Sequence, residues 1–254
     1  MRPPFVALLV LLFPLTNARA REVEPSDEDR ALVARVATAI IAQADPVEGW
    51  AWPPLAYIVN YQGSGIDKDR DGEIDADEVN ANAMLRYVRP GEEVTFDDDV
   101  NATRIELPDL PTIAGEIDAD GEVAQPVIRI YQGWLTVIAQ GQDALLANCF
   151  GHELAHVVLK HVGESEPGAP IVENAIQRRQ EADADLLGFQ LAVAAGYPVE
   201  KLLDSLTRER EVLYLYSDIE AYRYRHPGHA TRVALVDEHR VEVWRSLCSF
   251  ANGI

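Results

Sequence analysis

The chain has 254 residues, 48% of them hydrophobic, which is enough for one substantial core or two small ones and excludes a disordered tail or a fibre. Its 22 Lys and Arg face 42 Asp and Glu, a formal net charge of −20 that argues against nucleic acid and anionic membrane surfaces as partners. With only Cys149 and Cys248, neither a disulfide framework nor a cysteine-based zinc finger is available, so any metal must use histidine and carboxylate.

Residues 1–20 have the form of an export signal. Arg2 precedes an apolar stretch from Phe5 to Leu15, broken by Pro14, and Ala18-Arg19-Ala20 puts small residues at the cleavage positions. The stretch is near half of the roughly 20 apolar residues that a membrane span needs, so cleavage is expected in preference to anchoring. The expectation is an exported protein, periplasmic or extracellular, with no membrane span after cleavage. There Cys149 and Cys248 either pair or remain core residues.

Ser26-Asp27-Glu28-Asp29 resembles a capping box, and Leu32, Val33, Val36, Ile40 and Ile41 follow at helical spacing until Asp45-Pro46. Trp50-Ala51-Trp52-Pro53-Pro54 breaks regular structure, and Leu55 to Val59 reads as a strand. From Gly63 to Gly121 the chain is acidic and rich in prolines and turns. Val127 to Tyr131 and Trp134 to Ile138 read as strand material around Gln132-Gly133. A long helix is predicted from Asp143 with Gly163 to end it, another from Val172 to Ala195 closed by Gly196 and Pro198, and two more at Val199 to Leu215 and Gly228 to Phe250. The predicted fold class is α+β and mostly helical, with a small sheet beside the Asp143 helix. Its divisions are a signal at 1–20, an N-terminal helix and strand at 21–60, an acidic insertion at 61–122 and a core at 123–254.

The Asp143 helix carries His152-Glu153-Leu154-Ala155-His156. Residues four apart share a helical face, so both imidazoles can reach one tetrahedral metal while Glu153 touches water on it. Leu145, Leu146, Phe150, Leu154, Val157 and Val158 make this a buried helix, where two histidines are costly unless something satisfies them. A catalytic zinc takes three protein ligands and keeps one position open. Glu181 is the candidate third ligand, and Asp185, one turn on, can hold a ligand histidine by its free ring N–H. A solvated acidic helix face is the competing reading.

The combination of His-Glu-Leu-Ala-His at 152–156, Glu181-x-x-x-Asp185, Gly196-Tyr197-Pro198 and His226-Pro227 followed by Arg232 resembles the zinc metallopeptidases of the CAAX-prenyl-protease and HtpX type, the gluzincins. The resemblance runs from about Val127 to Val236, and Ile128 to Leu135 looks like the family's edge strand and turn before the metal helix. It implies zinc held by His152, His156 and Glu181, with Glu153 as general base. His226 would approach the reacting carbonyl, and Arg232 would pair with Asp185. It also implies a peptide or unfolded-protein substrate. The membrane spans of the integral-membrane members are absent, which argues against a prenylated, membrane-embedded substrate.

A second metal motif lies in the acidic stretch. Asp67 to Glu78 matches the twelve-residue EF-hand loop: Asp67, Asp69, Asp71 and Asp75 at positions 1, 3, 5 and 9, Gly72 at the sharp turn, Glu73 offering its carbonyl, and Glu78 closing the site. Calcium is the expected ion, with a structural role, although Gly63 and Gly65 weaken the pattern of an entering helix. Asp118-Ala119-Asp120-Gly121-Glu122 is too short for a partner loop and is expected to make a turn. The leading reading is an exported zinc metalloendopeptidase, with protein quality control as a setting. The rival is a non-catalytic calcium-binding protein that keeps a peptidase scaffold, and a zinc hydrolase of non-peptide substrates also fits the motif.

Overall fold

The computed structural model describes residues 24–59, 81–96, 101–162 and 170–216, with Ala234 and Val236. Helix α1 spans Asp27–Ile41, and Ser26 caps it as the sequence predicts: its hydroxyl accepts the Asp29 N–H at 3.0 Å while the Asp29 carboxylate accepts the Ser26 N–H at 3.3 Å. Leu32, Val33, Val36, Ala37, Ile40 and Ile41 form its buried face.

Four strands make one sheet in the order β2-β4-β1-β3: β1 is Leu55–Val59, β2 Ala81–Val88, β3 Ala102–Ile105 and β4 Val123–Tyr131. β4 runs parallel to β1 and antiparallel to β2, and β1 is antiparallel to β3. Two of the strands therefore come from the acidic stretch between Gly63 and Gly121, in which the sequence pattern marked none. β4 is also internal, flanked by β2 and β1, which corrects its reading as an edge strand. Ala56, Ile58, Ala81, Ile128 and Ile130 line the sheet face that joins the helices in one core. Val59 and Tyr131 form a smaller cluster with Ala102.

After β4 the chain does not continue as strand. Trp134–Ala139 is a π-helical turn with Trp134, Leu135 and Ala139 buried, so the Trp134 to Ile138 prediction is corrected. A five-residue run, apolar except for Thr136, carries no period that separates buried strand from buried helix. The register of β1 with β4 reaches only to Val59 and Tyr131, and beyond it the Thr136 hydroxyl donates back to the Gln132 carbonyl at 3.1 Å.

Helix α2 then spans Asp143–Val158, α3 Pro170–Ala194 and α4 Val199–Tyr216. Asp143, at the start of α2, takes a two-pronged ion pair from Arg35 of α1 at 2.9 and 2.8 Å. The α3 end is a left-handed turn at Gly196 (φ +93°), whose N–H reaches the Val193 carbonyl while the Tyr197 N–H reaches that of Ala192. Asp118 makes the expected turn, its carboxylate accepting the N–H groups of Asp120 and Glu122 at 2.9 Å. Among the described residues no helix is long and apolar enough to cross a membrane.

Candidate metal centre

Helices α2 and α3 pack together through two glycines. A Cβ on Gly188 would lie 2.5 Å from the His152 nitrogen and 2.6 Å from the Gly151 carbonyl carbon, and one on Gly151 would lie 2.7 Å from the Gly188 oxygen. Hydrogen alone fits there, so the two backbones approach far more closely than an ordinary helix pair. The helices run antiparallel past this point, which sets Asp185 against His152 and Glu181 against both His152 and His156.

His152 Nδ1 lies 2.9 Å from Asp185 Oδ1, and the Asp185 side chain is only 2% exposed. When Nδ1 donates its proton to that carboxylate, Nε2 is left with a lone pair. This Nε2 lies 3.1 Å from His156 Nε2 and 3.2 Å from Glu181 Oε2, while His156 Nε2 lies 3.4 Å from Glu181 Oε1. Zinc–nitrogen bonds of about 2.0–2.1 Å give a tetrahedron with edges of about 3.3 Å, so these separations fit a single small cation. One ligand atom from each of His152, His156 and Glu181 falls within 4.8 Å of the others. Lone pairs and a carboxylate converging this closely repel one another unless positive charge sits among them.

The electrostatics follow the same geometry. Burial depresses the pKa of His152, but the hydrogen bonds and negative charge of Asp185 and Glu181 outweigh it and hold the imidazole well above its ordinary value. His161 goes the other way, lowered by burial and then by the neighbouring His156.

No motif in the sequence marks His161. It is brought to the site because α2 ends before Gly163: Lys160 takes φ +56°, its N–H bonding to the Val157 carbonyl at 3.0 Å and the His161 N–H to that of His156 at 2.8 Å. This turn carries the His161 ring back over α2, with His156 Nδ1 and His161 Nδ1 3.1 Å apart. Gly151 and Gly188 were missed as well, although an isolated glycine inside a helical pattern is a signal of close packing.

Of the other predicted residues, Glu153 is buried on α2, 8% exposed, and Cys149 is buried on the same helix. The calcium loop from Asp67 to Glu78, together with His226, Arg232, Cys248 and residues 1–20, lies outside the described residues.

A histidine pair and a glutamate converging on one point, with one imidazole anchored by a buried carboxylate, form a candidate centre for a divalent metal ion. The chain is similar to Peptidase family M48, whose model matches residues 167–240. That span is less than a third of the chain. It holds Glu181, Asp185, His226 and Arg232 but begins after His-Glu-Leu-Ala-His, so the folded structure is what joins the two halves of the cluster. No curated protein and no solved structure matches the chain.

Proposed function

We propose that this protein is an exported zinc-dependent metalloendopeptidase acting on peptides or unfolded proteins. The observation that carries the reading is the convergence of His152, His156 and Glu181 to tetrahedral-edge distances, with His152 anchored by Asp185. The similarity to Peptidase family M48 supports the same chemistry. His152, His156 and Glu181 would hold the zinc ion, which would supply Lewis-acid chemistry: a more acidic water near neutral pH and a polarised carbonyl. Glu153 takes the proton from the attacking water and returns it to the leaving amine. Asp185 keeps the His152 proton on Nδ1, so that Nε2 faces the metal. The family resemblance of His226-Pro227 and Arg232 gives these residues supporting roles: His226 would donate to the carbonyl oxygen as it gathers negative charge, and Arg232 would pair with Asp185.

Cleavage of unfolded casein by the purified protein, with and without a chelator, tests the reading. Activity should be abolished by chelation and restored by zinc, and Glu153→Gln should keep zinc while losing most turnover. Near wild-type turnover in the Glu153→Gln protein contradicts the base assignment. On its sequence pattern the loop from Asp67 to Glu78 is proposed to take calcium in a structural role, ordering the stretch around it. Calcium should then raise the melting temperature of the wild type and not that of Asp67→Ala, and an equal rise in both excludes this loop.

A further inference from the structure

A neutral imidazole has one protonated nitrogen, and a histidine that binds metal through Nε2 must carry its proton on Nδ1. That N–H needs an acceptor to fix both the tautomer and the ring's rotation. For His152 the acceptor is Asp185. For His156 the facing atom is His161 Nδ1 at 3.1 Å, with ring centroids 5.2 Å apart and planes inclined at 66°.

We infer that His161 is a positioning residue for the metal: its Nδ1 accepts the Nδ1–H of His156 and holds the Nε2 of His156 toward Glu181 and His152. The inference rests on the zinc reading above and extends it to a residue that the motif does not include. Two bonded nitrogens cannot both be donors without a like-charge contact, so the arrangement assigns the His161 proton to Nε2.

The backbone makes this contact a product of the helix end. The left-handed Lys160 and the bond from the His161 N–H to the His156 carbonyl tie the two residues together through main chain as well as side chain. Lys160 bears a left-handed conformation that is unfavourable for a residue other than glycine. The turn is thus held by its surroundings, among them the Trp50 ring, whose centroid lies 5.6 Å from Lys160 Nζ.

The test is zinc affinity of the full chain, measured by competition with a chromophoric chelator, for the wild type, His161→Asn and His161→Leu. Asparagine puts a carbonyl oxygen where Nδ1 of histidine stands, whereas leucine fills similar space and accepts nothing. His161→Leu should bind zinc about 10–100-fold more weakly, and His161→Asn should stay close to wild type. The metal-free melting temperatures of all three should agree. Equal zinc affinity in wild type and His161→Leu, or an equal loss in both variants, overturns the inference. A long-range proton–nitrogen spectrum of the zinc-loaded wild type reads the tautomers with no variant at all. It should show protons on His156 Nδ1 and His161 Nε2, and a proton on His161 Nδ1 overturns the inference. If wild-type protein binds no zinc, the zinc reading itself falls, and the inference with it. Zinc binding with the wrong His161 tautomer sinks the inference alone.

Discussion

His152 sits where α2 and α3 pack through two glycines in the core, whereas His156 sits near the place where α2 ends, and the two sides of the site are built differently. On the His152 side the partner is a carboxylate, Asp185, 2% exposed and carried by a helix whose backbone nearly touches the first. On the His156 side the contact comes from the next turn of the same chain, through His161 and a left-handed residue. One side depends on long-range packing, the other on local chain geometry. The first should therefore be the harder to alter without losing the site, and the second the easier to adjust.

Gly188→Ala attacks the packed side directly and should have the largest effect. The new methyl would meet the His152 backbone nitrogen at 2.5 Å, so the helices must part, carrying Glu181 and Asp185 away from the imidazoles. Overpacking of this kind costs about 1–3 kcal/mol and here outweighs the gain of up to about 1 kcal/mol in helix propensity. Calorimetry should show a lower melting temperature, and metal analysis a loss of zinc. A Gly188→Ala protein with full zinc and unchanged melting would show that the close approach is not needed.

Asp185→Ala spares the backbone and removes the anchor of His152, so zinc affinity should fall about 10–100-fold. Chelator competition reads this directly. A weaker effect than that of His161→Leu would reverse the proposed order of the two sides.

Lys160→Gly relaxes the helix-end side and should act least. Relief of the left-handed strain is offset by the greater freedom of glycine in the unfolded chain and by loss of the contact with Trp50. Stability should rise by no more than about 1 kcal/mol, with zinc affinity unchanged, as read by denaturant titration and chelator competition. A marked loss of zinc would mean that the identity of residue 160, and not only its backbone shape, holds His161 in place.

The same division explains what could be read from the sequence. Ser26 and its capping box, the apolar spacing of α1, and Gly196 after α3 are local signals, and each predicts its element. The pairs His152/His156 and Glu181/Asp185 are also local, one helical turn apart, so the spacing of these residues along the chain is enough to name the members of the cluster. Their meeting is not legible in that way, because it depends on Gly151 and Gly188 facing each other across two helices. β2 is hidden for a related reason: Ala81 to Val88 has a largely half-buried pattern, and pairing with β4 makes it a strand. The α2 end falls earlier than the sequence predicts because Lys160 occupies a position where glycine is the usual marker.

The central claim is that His152, His156 and Glu181 hold one zinc ion, and titration of the metal-free protein with zinc in a calorimeter tests it most directly. Wild type should take up one high-affinity zinc per chain, and Glu181→Gln, which keeps the shape and removes the charge, should bind far more weakly. Full zinc uptake at wild-type affinity by Glu181→Gln, or none by wild type, would contradict the account.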